Sequence, residues 1–303
     1  MKHRNWSGAE HLRTENVSME LRELIAIRDN MYRDPELLEV YEKGDKNSNH
    51  QTRHDYVHGD EVRDLAIRLT RQLHQVFPDM MDEVTREFII PVAAWLHDIG
   101  RSIDVDRHDI EGAKLAKKYL DSRGVPRDLR ARICKIIGLH RANKVIKKGI
   151  QSPEHGIVVI ADKCIGDEGR VRPLKAFALD LAGLLRFGSW SLARMNMWEG
   201  APHDRVNYSI KNADLIVDID ELTDGSGEIV LKLQVDERFA SISEMVTLDW
   251  FADSFFACGK ASRYFGFFFR IEFNGVRHMW DKTANNEKGG WVPIERIQVP
   301  RGN

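Results

Sequence analysis

Apolar residues recur at helical spacing through the first two-thirds of the chain and alternate with polar ones beyond it. Between residues 18 and 43, Met19, Leu21, Leu24, Ile25, Leu37, Leu38 and Tyr41 flank Pro35, which predicts two short helices ahead of the polar run "KGDKNSNHQTRH". Val62, Leu65, Ala66, Leu69, Leu73 and Val76 then keep a three-and-four spacing up to Pro78, the mark of an amphipathic helix. A second follows through Val84, Phe88, Val92, Trp95 and Leu96, with Gly100 standing where a C-terminal glycine is expected to stop it. Ile110, Ala113, Ala116, Tyr119 and Leu120 before Gly124 predict a third, and Leu129, Ile133, Ile136 and Ile137 after Pro126 a fourth. A fifth opens at "SPEHGIVVIAD", with Ser152 as N-cap and Pro153 as the first helical residue.

From about residue 207 the period changes from helical to twofold. "ADLIVDID" and "EIVLKLQVD" alternate apolar and polar positions around the turn-forming "TDGSG", which predicts a hairpin. A helix from Ser241 to about Tyr264 and a strand at "FFFRIEFNG" complete the pattern. The expected fold is mainly α: a helical bundle followed by a small α+β module in the order strand, strand, helix, strand. The corresponding division is a helical N-terminal extension at 1–50, the bundle at 51–206, the module at 207–281 and a flexible tail at 282–303. The hairpin is expected to bury Leu215, Val217, Ile229, Leu231 and Leu233 against the helix face carrying Met245, Leu248, Phe255 and Phe256. So small a core leans on a neighbour, and the leftover aromatic residues are expected to dock the module on the bundle or to form a homodimer interface.

Composition narrows the partners. The 303 residues are 42% hydrophobic, enough for one large core or two modest ones, and 45 lysines and arginines nearly balance 47 aspartates and glutamates. A net charge of -2 gives no bulk field for a polyanion, so no bulk nucleic-acid binding is expected and any phosphate must be held locally. Cys134, Cys164 and Cys258 are odd in number and far apart, which fits a reducing, cytoplasmic setting better than a disulfide framework. The first residues lack the apolar core of a signal peptide, and no stretch approaches the ~18 apolar residues of a membrane span.

The chemistry begins at "AAWLHDIGR", where a hydrophobic run ends in His97 and Asp98. A carboxylate in such a place costs several kcal/mol unless something pairs with it, and a metal ion is one such partner. Others of the twelve histidines also stand at helix ends: His58 before the first amphipathic helix, His108 opening the third and His140 closing the fourth, while Asp162 lies in the fifth. Five successive helices of a bundle can bring such residues to one spot. Imidazole and carboxylate suit iron, manganese, zinc or nickel, and a carboxylate can bridge two ions. Taken singly, each histidine reads as an ordinary surface or capping residue; the ordered set does not.

At these residues the chain resembles the HD-domain superfamily of metal-dependent phosphohydrolases, from about Tyr56 to Lys163. "HGDEVRDLAIRL" is similar to the leading histidine with its valine four residues on, "WLHDIGR" to the signature, "HDIEGAKLA" to the glycine-alanine helix that follows, and "VIADK" to the last ligand. In that family, members with only the first histidine, the HD pair and the late aspartate bind one metal, and members with both extra histidines bind two. His108 and His140 therefore imply a dinuclear centre of divalent or mixed-valence transition metals, with a nucleotide-like phosphorylated substrate. The pattern is also similar to dinucleoside polyphosphate hydrolases and to enzymes cleaving cyclic dinucleotides, although Arg101 replaces the lysine usual in the latter. HD-fold diiron oxygenases share the six positions, and a metal-binding regulatory protein without turnover is a further reading.

Roles follow from position. Adjacent helical residues point ~100° apart, so Asp98 is expected to reach between two ions at a helix end, with His58, His97 and Asp162 on the first and His108 and His140 on the second. Two metals can generate a nucleophile at neutral pH and clamp an in-line displacement at phosphorus. Arg101 and Lys163 stand beside ligands as catalytic cations, and Arg141, Arg170 and Arg172 complete a candidate phosphate clamp. His54 is a substitute ligand one turn before His58. His203 and Arg205 in "APHDRVNY" line either the mouth of the site or an interdomain turn, and His74 and His155 are read as structural.

Overall fold

The computed structural model describes residues 19–48, 52–187, 190–219, 227–284 and 289–294, and the "TDGSG" turn falls largely outside them. The chain forms two compact units, Met1–Ile165 with Phe256–Phe265, and Gly166–Phe255 with Gly266–Asn303.

The first unit is helical. α1 (Leu21–Met31) starts with a reciprocal capping box between Glu20 and Glu23, and α2 (Pro35–Asn47) with Asp34 as N-cap and Pro35 at its first position. α3 (Tyr56–Val76) buries Val62, Leu65, Ala66, Leu69 and Leu73 along one face, as the spacing predicts. A π-helical turn (Thr85–Ile89) runs into α4 (Ile90–Leu96), every residue of which is buried. Pro91 has no N–H for the Glu87 carbonyl four residues back, and the Arg28 guanidinium donates to that carbonyl instead. α5 (His108–Ser122) and α6 (Arg127–Leu139) follow, then a short α7 (Ala142–Lys148) that the periodicity does not announce, then α8 (Pro153–Cys164) capped by Ser152.

Gly100 is not the left-handed helix stop expected of it. Positive-φ glycines include Gly124 and Gly149 but not Gly100, which lies in a 3-10 turn, Ile99–Ser102. Its reason is contact: a Cβ there would sit 2.0 Å from the His108 carbonyl oxygen and 2.3 Å from the Gly112 nitrogen. The turn after the HD pair thus lies directly on the first turns of α5. Gly44 of α2 makes a similar approach, its added Cβ meeting Arg101 Cβ and Ser102 N at 3.1 Å.

The second unit contains α9 (Pro173–Leu184), a two-strand ribbon of β1 (Arg186–Phe187) and β2 (Trp190–Ser191), α10 (Ala201–Ser209) and a five-stranded sheet. β3 (Ile210–Ile219) and β4 (Gly227–Val235) form the expected antiparallel hairpin. α11 (Ile242–Thr247) and α12 (Asp249–Tyr264) return the chain to β5 (Phe268–Phe273), which pairs parallel to β4. β6 (Val276–Asp281) and β7 (Gly290–Pro293) extend the sheet in the order β3-β4-β5-β6-β7.

Several expectations are corrected here. The stretch from Ser241 to Tyr264 is two helices, because Leu248 is extended between them. The module has five strands, since Asn274 and Gly275 take positive φ and turn β5 into β6, and part of the segment read as a flexible tail pairs as β7. The contacts divide the chain at Ile165 and Gly166, upstream of residue 207. "APHDRVNY" is α10, not a turn, and it runs straight into β3 with Tyr208 packed beside Phe239, Val171 and Leu179. Leu215, Ile229, Leu231 and Leu233 are buried with Met245 and Phe255, whereas Val217 and Leu248 are half-buried and Phe256 is exposed. Among the described residues no helix is long and apolar enough to cross a membrane.

Candidate metal centre

α3, α4, α5, α6 and α8 each deliver part of one buried cluster. His58 lies on the first turn of α3, where its N–H is capped by Asp55, and His97 and Asp98 follow the last residue of α4. His108 opens α5, His140 closes α6, and Asp162 lies in the last turns of α8. Ligand atoms of His58, His97 and Asp162 lie within 4.8 Å of one another, as do those of Asp98, His108 and His140.

Three rings are aimed by the same device. The Nδ1 atoms of His97, His108 and His140 sit 2.8, 2.6 and 2.7 Å from the carbonyls of Ala94, Val105 and Ile137, each three residues back. With Nδ1 donating, Nε2 carries the lone pair and points into the cluster. His108 and His140 Nε2 are 3.3 Å apart, and His97 Nε2 is 3.5 Å from Asp162 Oδ1.

Asp98 stands between the two groups. Its Oδ1 is 3.3 Å from His108 Nε2 and 3.8 Å from His140 Nε2, whereas its Oδ2 is 3.6 Å from His97 Nε2. Ligands at ~2.1 Å from a common ion are separated by roughly 3.0–3.4 Å, so the spacing approaches that of a coordination shell. His97 Nε2 is buried and has no hydrogen-bond partner among the described residues, as a metal-directed nitrogen would be. The donor set therefore fits a metal.

Electrostatics hold four of the six in their ligating forms. Burial pushes His108 down to about 4 and His140 well below the ordinary imidazole value, so both are neutral at pH 7. Burial alone would raise Asp98, but the Arg101 guanidinium, with His97 and His108, outweighs it and holds the carboxyl well below its usual range. Asp162 is likewise raised by burial and brought down further by Lys163 and His97, to about 2.

The cations expected to meet substrate are arranged unequally. Arg101 is buried and its Nε donates to Asp98 Oδ2 at 2.9 Å, while NH1 reaches Ser48 Oγ at 3.3 Å and its carbonyl accepts from Asn47. Lys163 Nζ is 2.6 Å from Asp162 Oδ2, opposite the oxygen that faces His97. Arg141 donates to the Asp106 carbonyl and lies 3.7 Å from the buried Asp109, which also pairs with Lys144. Arg170 and Arg172 belong to the second unit, at the end of a 3-10 turn and at the N-cap of α9, and Arg170 is buried there. Arg205 is in the second unit too, bound to Glu244 at 2.6 Å, with His203 on the same helix.

His54 is posed like the ligands: its Nδ1 is 2.6 Å from the Thr52 carbonyl and its Nε2 is 4.0 Å from Asp98 Oδ2. His155 accepts from Gln151 N and contacts the Leu139 carbonyl, and His74 lies in the last turn of α3. The grip of α2 on Arg101 through Gly44, Asn47 and Ser48 escaped the sequence reading. Its only sequence signal is a glycine in a helix.

Residues 56–167 match the family model of the HD domain. This segment is similar to an HD domain. HD domains are mostly metal-dependent phosphohydrolases, and the cluster above lies wholly within the matched segment. The chain matches no curated protein.

Proposed function

We propose that the HD-like segment of this protein is a metal-dependent phosphohydrolase with a dinuclear centre, acting on a small phosphoester or phosphoanhydride, nucleotide-like in class. The observation that carries this reading is Asp98: one carboxylate oxygen faces His97 and the other faces His108 and His140, the posture of a bridge between two sites. His58, His97 and Asp162 would hold one ion, and His108 and His140 the other. Bound there, iron, manganese, nickel or zinc would supply Lewis acidity and bring water near to ionisation at neutral pH.

The chain's own residues do the remainder. Arg101 fixes the Asp98 carboxylate in its bridging orientation and Lys163 fixes Asp162, so both are positioning residues whose positive charge also favours a phosphate nearby. Arg141 stands beside the α5 ligand helix, 3.7 Å from Asp109. Cytoplasmic placement rests on the sparse, free cysteines.

The test is metal analysis of the purified protein joined to a phosphate-release screen over nucleotides and polyphosphates. Two transition-metal ions per chain and phosphate release that a chelator abolishes are expected. Metal-loaded protein that consumes oxygen with an organic substrate, and releases no phosphate, would replace this reading with an oxygenase.

A further inference from the structure

α9 is apolar on two sides. One side is part of the second unit's core: Leu179 and Ala182 are buried with Val171, Tyr208 and Phe239, and Gly183 lets the Phe239 ring approach to within 3.0 Å of where a Cβ would stand. The other side faces solvent, with Leu174 81%, Phe177 66%, Leu181 57% and Leu184 75% exposed and Leu185 49% exposed beside them. A helix that is hydrophobic all round is normally covered all round.

The exposed positions are spaced three, four and three, the stripe of a coiled-coil seam. Ala178 lies in the middle of the stripe, small enough for another backbone to come close. By the fractions exposed, the five large residues present on the order of 500 Å² of apolar surface, most of the ~800 Å² that each partner of a stable interface buries. That is at the upper end of what monomers leave uncovered.

We propose that this stripe is the interface between two copies of the chain, packed antiparallel about a twofold axis. A stripe of 174, 177, 181 and 184 is self-complementary in that arrangement: the axis passes between the two copies at residue 179 in sequence, so Leu174 meets Leu184 of the second copy and Phe177 meets Leu181. Charge argues for a second copy over a lipid surface. Helices that lie on membranes carry lysine and arginine along the polar face. On α9 the single lysine, Lys175, is 2.7 Å from Asp204, and the acidic Asp180 is exposed and accepts from Tyr208.

Sedimentation of the full-length chain at micromolar concentration is expected to give twice the chain mass. Phe177→Glu is expected to give the monomer mass with an unchanged circular dichroism spectrum and metal content, and a thermal midpoint that no longer rises with protein concentration. Should that variant fail to fold, Leu174→Ser gives a milder test of the same shift, and Ala178→Cys is expected to cross-link covalently into dimers on mild oxidation, beyond the wild-type background. A wild-type chain that is monomeric throughout, a folded Phe177→Glu chain that stays dimeric, or monomers that float with vesicles of phosphatidylcholine and phosphatidylglycerol through this stripe would overturn the proposal.

Discussion

The two units differ in what their buried charge is paired with. The first unit gathers Asp98, four imidazoles and the Arg101 guanidinium in its interior beside the part-buried Asp162, with three of the rings aimed by backbone carbonyls and Asp98 held by Arg101. The second unit spreads charge over an open face of its sheet, where Arg270 pairs with Glu228, and Arg277 with Glu228 and Asp218, on side chains that keep contact with water. Exposed pairs of that kind contribute ~0–1 kcal/mol each and tolerate replacement. The buried set carries a large desolvation cost that only a specific partner offsets. Among the described residues, groups of histidine and carboxylate that could hold a metal occur only in the first unit, whereas the buried Asp204 and Arg205 of the second unit are paired with Lys175 and Glu244.

The largest contrast should come from Asp98→Ala. Removing the residue that faces both donor groups is expected to strip both ions and lower turnover by more than ~100-fold, beyond the loss typical of a supporting contact. Elemental analysis and a phosphate-release assay read this, and a variant that keeps full metal content and full activity would end the bridging assignment.

Gly100→Ala comes next. Its Cβ has backbone on two sides at van der Waals overlap, so the HD turn must part from α5, at a cost of about 3 kcal/mol or more. Gly259→Ala, in α12 with nothing within 4 Å of the added carbon, should instead gain up to about 1 kcal/mol. Urea unfolding of the two variants measures the difference.

Acid should weaken the metal-free protein through the first unit. His108 has its folded value depressed from 6.5 to about 4, so between those values the unfolded chain takes up a proton that the folded chain refuses, and stability falls as pH falls through that window. This one group contributes on the order of 3 kcal/mol, and Asp162, lowered from 3.8 to about 2, adds a further loss between those values. Thermal midpoints of the apo protein from pH 7 to 4 should decline, and the decline should lessen in His108→Asn. A flat profile would mean that the cluster is more open to water than its burial implies.

Arg277→Ala, on the sheet face, marks the small end of the scale: less than ~1 kcal/mol and no change in metal content. A larger loss would show that the sheet's ion pairs act as a connected network.

The order of elements and of candidate ligands was legible along the chain. The longer helices of the first unit follow from apolar spacing and the hairpin from alternation, because those signals are local and repeat at a fixed period, and the six ligand candidates stand out by residue type at or near helix ends. Asn274-Gly275 was legible too, as the dipeptide that favours tight hairpins, and it was passed over inside a strand pattern.

What the tertiary structure alone decided is distance between segments far apart in sequence. Gly100 looks like a helix stop in sequence and proves to be a contact with His108 and Gly112, since close approach leaves no mark beyond the glycine itself. Arg101 looks like a free cation for substrate and proves to be tied to Asp98 and to Ser48, some fifty residues upstream. The apolar positions of α9 look alike on both its sides, and only packing separates Leu179, buried, from Leu181, exposed. Periodicity assigns a residue to a face of its own helix; which face meets another element is set by the packing of the whole chain.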